Sequence, residues 1–249
     1  MISLGEHRRI VARLSKAGKS NRGAGGYSRW VNRPLGRHLA ALGFALKLTP
    51  NQISLLSAAC TFTAIGLFAS LHPALVTAVV VTVLLVLGYA LDSADGQVAR
   101  LRGGGSSAGE WLDHVLDAVK ISTFHLAVAV SWYRFYDLRH PSVLLVPLAF
   151  SAVSCVFFFA LILSDMLRRI ARVQQGGTAV TTASLTPDER APVLRSLVVL
   201  PNDYGVLCLT MLLLPLQLTF GIVYSILLVA NVGFLLIGCL RWFAEMGGL

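Results

Sequence analysis

Six apolar runs, each about as long as a membrane-spanning helix, occupy most of the chain after residue 50. A helix needs about 20 predominantly apolar residues to cross the hydrocarbon core of a bilayer. Only 13% of the 249 residues are charged and 55% are hydrophobic, a composition that excludes an ordinary soluble domain. The sequence therefore predicts an all-α, polytopic membrane protein. The six predicted transmembrane helices cover 51–71, 74–99, 109–134, 142–164, 194–214 and 218–241.

The part of the chain before the first predicted span is basic throughout. Residues 1–26 are polar and rich in glycine, whereas residues 27–47 mix arginine with large apolar side chains, as amphipathic helices at a membrane surface do. We predict a basic N-terminal arm and a juxtamembrane amphipathic helix over 1–47, interrupted at Pro34, and a six-helix membrane domain over 48–249. The positive charge of the arm predicts contact with anionic lipid in the bilayer.

Lysine and arginine residues fall almost entirely on one side of the predicted spans. Only Arg134 and Arg139 lie on the opposite side, and Lys120 lies within a span. Because positive residues mark the cytoplasmic side of membrane proteins, we predict that both termini and the loop near residue 105 face the cytoplasm, in the plasma membrane. The formal net charge of +9 then follows from membrane topology, and we predict no nucleic-acid partner.

Two pairs of aspartates are embedded in this apolar sequence, Asp92 with Asp95 and Asp113 with Asp117. One carboxylate at bilayer depth costs about 2.5–3.5 kcal/mol even on a lenient insertion scale. The members of each pair are three or four residues apart, so they share one helix face. A short Gly/Ser loop over 103–107 joins the two helices, and a helix hairpin would bring both acidic faces together. We therefore predict bound divalent ions, two Mg²⁺ or Mn²⁺, since hard cations take oxygen ligands.

The residues around these aspartates form the pattern D-x2-D-G-x2-A-R-x8-G-x3-D-x3-D. This pattern resembles the signature of the CDP-alcohol phosphotransferase (CDP-alcohol phosphatidyltransferase) family, the integral-membrane enzymes of phospholipid head-group synthesis, and no specified position departs from it. The resemblance implies metal-dependent transfer of a substituted phosphate group from a CDP-alcohol to an alcohol acceptor, with release of CMP, by a homodimer. The matching positions are Asp92, Asp95, Gly96, Ala99, Arg100, Gly109, Asp113 and Asp117.

The four aspartates have distinct expected roles. Asp92, Asp95 and Asp113 are the predicted metal ligands. The resemblance implies that Asp117 is either a fourth metal ligand or the catalytic general base that takes the proton of the acceptor. The plain alternative is a buried ion-pair network without catalysis, for example Arg100 with Asp95.

The predicted CDP-binding residues include three positions of the pattern and one residue before it. Gly96 leaves room beside the backbone, the guanidinium of Arg100 suits phosphate, and Asp92 adjoins them. Asn51, in the segment P-N-Q-I-S, resembles a segment found before the pattern in the family, which implies that it shapes the nucleotide pocket. The alternative is that the side chain of Asn51 caps the helix that begins there.

Basic residues near the cytoplasmic ends of predicted spans four and five form a candidate acceptor site. In family members with a phosphorylated acceptor, such residues bind the acceptor phosphate, although ordinary cytoplasmic-side charge explains them equally well. Lys120, one turn beyond Asp117, either touches the substrate or pairs with Asp117. The predicted acceptor-binding residues are Arg168, Arg169, Arg172, Arg195 and Lys120.

Three functions remain open at this point. The first uses CDP-diacylglycerol and a phosphorylated polyol, either inositol phosphate or glycerol phosphate. The second is the choline/ethanolamine arrangement with diacylglycerol as acceptor, which the sequence Asp113-His114 favours. The third is a cation or proton transporter, which explains the carboxylates but not Gly96, Arg100 and Gly109 at fixed offsets.

Three kinds of residue outside the pattern complete the expectations. The four cysteines lie singly in apolar runs and are expected to pack as small hydrophobes. His125 is expected to be a core histidine with satisfied hydrogen bonds. Asp203 is an isolated acid in the fifth predicted span, with either an acceptor hydroxyl or an arginine as its partner.

Overall fold

The computed structural model of the chain describes residues 4–16, 25–138, 140–175 and 193–248. Within these residues the regular secondary structure is entirely helical, as predicted. The α-helices are α1 (Leu4–Lys16), α2 (Arg33–Ala45), α3 (Pro50–Ser70), α4 (Leu75–Leu101), α5 (Ser107–Phe135), α6 (Leu145–Gln174), α7 (Val193–Val198), α8 (Tyr204–Thr210) and α9 (Gln217–Met246).

Five helical segments of the described chain are long and apolar enough to cross a membrane, and they make this an integral membrane protein. They are α3, α4, α5, α9 and α6 with the turn of 3₁₀ helix, Pro141–Leu144, that precedes it. These match the first four predicted spans and the last. The count of six is not confirmed by these residues. α6 continues to Gln174, past its predicted end at residue 164, because arginine is a good helix former that carries the helix on beyond its apolar part.

The fifth predicted span, 194–214, is not one continuous helix. α7 ends at Val198, a 3₁₀ turn covers Leu200–Asn202, and α8 is followed by a second 3₁₀ turn. Pro201 has no amide hydrogen to donate, so a helix cannot run through it undisturbed. Asp203 then starts the next helix, because its carboxylate accepts a 3.1 Å hydrogen bond from the amide of Gly205. An apolar run therefore predicted the length of this segment but not the break in it.

The broken segment nevertheless reaches both ends of the helix bundle. Near its start, the Arg29 guanidinium donates a 3.3 Å hydrogen bond to the hydroxyl of Ser196. At its end, the hydroxyl of Tyr136, which follows α5, donates a 3.1 Å hydrogen bond to the carbonyl of Leu214. The segment then leads into α9, which starts at Gln217.

The predicted juxtamembrane helix packs into the protein. A short π-helical stretch, Ser28–Asn32, leads into α2, and the change falls next to Pro34. Ala40 of α2 lies in one buried cluster with Ala94 and Val98 of α4. α2 therefore covers the part of α4 that carries the aspartate pattern.

The large aromatic core lies away from the α4–α5 loop and holds α5 against α9. His125 on α5 is buried, as predicted, and both of its ring nitrogens have partners. Its Nδ1 lies 2.6 Å from the hydroxyl of Tyr224, and its Nε2 lies 3.1 Å from the hydroxyl of Ser154. The four cysteines are free thiols, and only Cys208 is fully buried.

Candidate active site

α4 and α5 carry the two aspartate pairs, and α3 packs against both of them. The link between α4 and α5 turns at Gly103 and Gly104, whose φ angles of 94° and 136° favour glycine. Ser106 then caps α5 by accepting a 3.0 Å hydrogen bond from the amide of Gly109. This turn brings the acidic faces of the two helices together, as the spacing predicted.

Three of the four predicted carboxylates converge. One oxygen each from Asp92, Asp95 and Asp113 lies within 4.8 Å of the other two. Asp95 is buried, with 7% of its surface exposed, and the other two are partly buried. Negative oxygens this close repel strongly in an apolar surrounding. A divalent cation with oxygen ligands fits this arrangement, since it neutralises the charge and takes such oxygens as ligands.

Asp95 is held by two hydrogen bonds. The hydroxyl of Ser54 on α3 donates to Oδ2 over 2.5 Å, and the amide of Gly96 donates to Oδ1. Ser54 was not among the predicted site residues, although it is the last residue of the P-N-Q-I-S segment that contains Asn51. The position of that segment before the pattern was the available signal.

Asp117 lies outside the group of three and pairs with a lysine. The Lys120 ammonium forms an ion pair with Oδ1 of Asp117 and lies 3.7 Å from Oδ1 of Asp92. Only 12% of the Lys120 side chain is exposed, and its ammonium also lies 5.2 Å from the centre of the Tyr204 ring. Of the two predicted alternatives for Lys120, the structure contains the pairing, extended to a second carboxylate.

A small pocket opens beside these carboxylates. α3 contributes hydroxyl groups to it, and α4 and α5 contribute the charged groups. Its polar lining residues are Ser54, Ser57, Thr61, Asp92, Asp113, Asp117 and Lys120.

The region predicted to bind CDP has room for a ligand. Apart from the backbone of its own helix, a Cβ placed on Gly96 would approach one group among the described residues within 4 Å, the Nη1 of Arg100 at 3.7 Å. The Nε of Arg100 is buried and has no hydrogen-bond partner among the described residues. A buried donor without a partner is costly, and an anionic ligand would satisfy it.

Asn51 is not the cap of α3. That cap is Thr49, whose hydroxyl accepts a hydrogen bond from the amide of Gln52, while the side chain of Gln52 accepts one from the Thr49 amide. The Asn51 Oδ1 instead faces α5, 3.0 Å from where a Cβ on Gly109 would lie. Asn51 therefore borders the gap between α3 and the start of α5.

Two of the predicted acceptor residues are already engaged in ion pairs. Arg168 on α6 binds both carboxylate oxygens of Glu245 on α9, over 2.7 and 2.8 Å. Arg169 binds Glu110 over 2.6 Å and Asp165 over 2.8 Å.

The remaining predicted residues near the site have other placements. Arg172 lies in the last turn of α6. Arg195 lies in α7, and its side chain is outside the described residues. His114 lies 3.8 Å from the carboxylate of Glu110. Asp203 accepts hydrogen bonds from the amides of Ser28 and Gly205, so backbone amides hold it, and no arginine does so among the residues that the structure describes.

Two comparisons with known proteins show what this chain is similar to. Residues 47–243 match the family model described as CDP-alcohol phosphatidyltransferase. A phosphatidylinositol phosphate synthase of Corynebacterium glutamicum is 38% identical over 108 residues, which cover 43% of this chain and 46% of that relative. The similarity thus spans about half the length of that curated relative. The family match begins beside the predicted start of the membrane domain at residue 48 and contains all four aspartates.

Proposed function

The chain belongs to the CDP-alcohol phosphatidyltransferase family, and we propose on that basis that it transfers a phosphatidyl group from CDP-diacylglycerol to a phosphorylated polyol in phospholipid biosynthesis. The observation that carries this proposal is the convergence of Asp92, Asp95 and Asp113, whose oxygens approach to within 4.8 Å of one another. Three converging carboxylates at a membrane-embedded site can hold a cation next to the diphosphate of a substrate whose diacylglycerol part lies in the lipid.

The three converging aspartates are the proposed ligands of a resident Mg²⁺ or Mn²⁺. A divalent ion bound there supplies positive charge to the diphosphate of the donor and acidity to the acceptor hydroxyl. Ser54 fixes the orientation of Asp95 through its hydrogen bond. Gly96 leaves space for the nucleotide, and the buried Nε of Arg100 is the proposed donor to a phosphate oxygen.

The proposed reaction is a displacement at phosphorus. The acceptor oxygen forms a bond to the phosphorus that carries the diacylglycerol group, and the bond from that phosphorus to the oxygen of CMP breaks. CMP leaves with the electron pair of that bond. Asp117 is the proposed group that takes the proton of the acceptor hydroxyl, and Lys120 holds its carboxylate in the pocket.

Inositol phosphate is the proposed acceptor, with glycerol phosphate as the next candidate. This choice is supported by the relative named as a phosphatidylinositol phosphate synthase and by the concentration of arginines at one end of α6 and α7. Arg195 is the best single candidate for the acceptor phosphate. Arg168, Arg169 and Arg172 are the further candidates, and the first two would exchange a carboxylate partner for the acceptor phosphate.

The proposal includes a placement in the membrane. We infer that residues 193–214 make the fifth of six crossings as a broken helix, supported by the contacts of Ser196 and Leu214 at opposite ends of the bundle. The distribution of lysine and arginine supports a cytoplasmic active site in the plasma membrane, with anionic lipid around the basic arm. The homodimer implied by the family resemblance is part of the proposal, and native mass spectrometry in detergent tests it.

Release of CMP by the purified protein tests the proposed function. The protein in detergent, with Mg²⁺ or Mn²⁺ and CDP-diacylglycerol, should release CMP only when metal and inositol phosphate are both present. Glycerol phosphate in its place tests the second acceptor, and CDP-choline with diacylglycerol tests the choline/ethanolamine arrangement. Cation flux in liposomes, with no CMP from any donor and acceptor pair, would instead establish a transporter.

A further inference from the structure

Two arginines that precede the membrane domain, Arg29 and Arg33, pack into the protein. Arg29 belongs to the π-helical stretch Ser28–Asn32, and Arg33 is the first residue of α2. Both side chains are partly buried. An arginine at a membrane surface keeps its charged end in water or among lipid head groups. The placement of these two side chains therefore points to a role inside the protein.

Arg29 links the juxtamembrane segment to α7. Its Nη1 donates a 3.3 Å hydrogen bond to the hydroxyl of Ser196, a side chain that is only 2% exposed. Ser196 follows Arg195 in the sequence, so Arg29 lies beside the part of α7 that carries the leading candidate for the acceptor phosphate. A guanidinium carries several N–H donors in a planar fork, and one such group can bind a protein hydroxyl and a phosphate together.

Arg33 begins a helix that is fitted closely against α4. One turn after Arg33, a Cβ on Gly36 would lie 2.8 Å from the Oγ of Ser93 and 2.9 Å from the Nε2 of Gln97. Glycine permits this close approach because it has no side chain. Ser93 follows Asp92 in the sequence, so the contact holds the start of α2 next to the helix that carries the first aspartate pair.

Positive charges gather around Arg33. Burial lowers the pKa of its guanidinium, the hydroxyl of Tyr89 opposes this change, and the positive charges of Arg37 and Arg29 lower the pKa further. The charge of Arg33 also acts on Arg100, whose buried Nε has no hydrogen-bond partner among the described residues. Positive groups repel one another when they are brought together away from water, and a phosphate that contacts several of them is strongly attracted for the same reason.

We propose that Arg29 and Arg33 bind the phosphate of the acceptor, together with Arg195. This inference rests on the proposed function and extends its acceptor site to the segment that precedes the membrane domain. The diphosphate of the donor offers the same chemistry. The bond from Arg29 to Ser196, next to Arg195, favours the acceptor, and the experiments below separate the two sources of phosphate.

Steady-state kinetics of single variants test the proposal. Arg29→Gln and Arg33→Gln should each raise the KM for the acceptor about 10-fold or more and change the KM for CDP-diacylglycerol less, because each removes a charged hydrogen bond to the acceptor phosphate. Arg29→Lys and Arg33→Lys keep the charge and should recover part of the affinity. Arg9→Gln is the control, because it removes an exposed charge from α1 and should change neither KM. A rise in the donor KM alone, or in neither, would overturn the proposal.

A variant of α7 separates binding from packing. Ser196→Ala removes the hydroxyl that Arg29 contacts but leaves the guanidinium in place. It should raise the acceptor KM less than Arg29→Gln does. Equal increases in the two variants would show that Arg29 acts only through its contact with α7, and would remove it from the acceptor site.

Protection from chemical labelling tests the site in the unmodified chain, whether or not the variants fold. Phenylglyoxal labels arginine, and mass spectrometry of peptides locates the label. Inositol phosphate should slow the labelling of Arg29 and Arg33 in the protein in detergent, whereas CMP should not, and Arg9 should react at the same rate in both cases. Equal labelling of Arg29 and Arg33 with and without inositol phosphate, or protection by CMP alone, would overturn the proposal.

The outcomes separate this inference from the proposed function. Protection of Arg29 and Arg33 by inositol phosphate, with no CMP from any donor and acceptor pair, would preserve the phosphate site and remove the transferase. CMP release that requires metal and inositol phosphate, with no protection and unchanged KM values in the variants, would preserve the transferase and remove the two arginines from its acceptor site.

Discussion

Ser54 on α3 donates a 2.5 Å hydrogen bond to Asp95 on α4, and this bond joins a helix outside the aspartate pattern to the buried member of the three converging aspartates. Groups that orient a metal ligand affect metal affinity nearly as much as some ligands do. The site is therefore built from three helices, although the pattern occupies two.

Ser54→Ala should weaken metal binding. Loss of the hydroxyl leaves Oδ2 of Asp95 without its donor, and such changes typically lower metal affinity or activity by about 10–100-fold. Mn²⁺ titration and CMP release measure the two effects. The matched control is Ser57→Ala, one turn along α3, whose hydroxyl donates to the carbonyl of Gly88 over 2.8 Å and not to a carboxylate. Equal losses in both variants would show that Ser54 has no special role.

Asp92→Asn and Asp113→Asn should abolish turnover without unfolding the protein. An amide keeps the shape of the side chain but removes the charge that binds a hard cation, and we expect CMP release to fall by at least about 100-fold. Asp137→Asn is the control, because Asp137 is exposed and follows α5 at the end of the bundle away from the four aspartates. Wild-type rates in either of the first two variants would be fatal to the site assignment.

Arg195→Ala should raise the KM for the acceptor more than the KM for CDP-diacylglycerol. An arginine bonded to a phosphate contributes about 1.5–3 kcal/mol, so the acceptor KM should rise about 10-fold or more. Arg134→Ala is the control, because its guanidinium binds the carbonyl of Ala69 at the end of the bundle away from the aspartates. A similar change in both KM values, or in neither, would remove Arg195 from the acceptor site.

Gly88→Ala should destabilise the packing of α3 on α4. A Cβ at this position would overlap the Thr61 hydroxyl and lie 3.1 Å from the carbonyl of Ser57. Overpacking of this kind costs about 1–3 kcal/mol, which a lower thermal midpoint in detergent would register. Gly66→Ala in α3 is the control, because no described residue outside the local helix backbone lies within 4 Å of the added Cβ. If the Gly88→Ala and Gly66→Ala proteins unfold at the same temperature, close packing of α3 on α4 at Gly88 does not contribute to stability.

The sequence predicted those features that depend on residues close together in the chain. The offsets between Asp92, Asp95 and Asp113 were sufficient to predict that these side chains meet, because residues three or four apart share a helix face. The length of the apolar runs located five long helices, because a helix that crosses a bilayer needs about 20 apolar residues. The break at Pro201 was missed, because the average hydropathy of the run hides one proline and the acid that follows.

Contacts between distant parts of the chain could not be predicted in this way. The sequence shows that Arg168 is positively charged, but its partner Glu245 lies on the last helix. A single sequence does not indicate which acidic residue pairs with which basic residue. The same holds for Ser54 and Asp95. For Lys120 the sequence left two alternatives, and only the fold showed that Asp92 joins Asp117 around the ammonium.

The contact between the juxtamembrane segment and the start of α8 also bears on biogenesis. Tyr27 fills the space that a side chain on residue 205 would need, and the Ser28 amide donates a 2.8 Å hydrogen bond to Asp203. Residues near 28 leave the ribosome long before those near 203, so their binding partners do not yet exist while the early helices enter the bilayer. The segment around residue 28 is therefore made early but can form its native contacts with residues 203–205 only after the later helices have left the translocon.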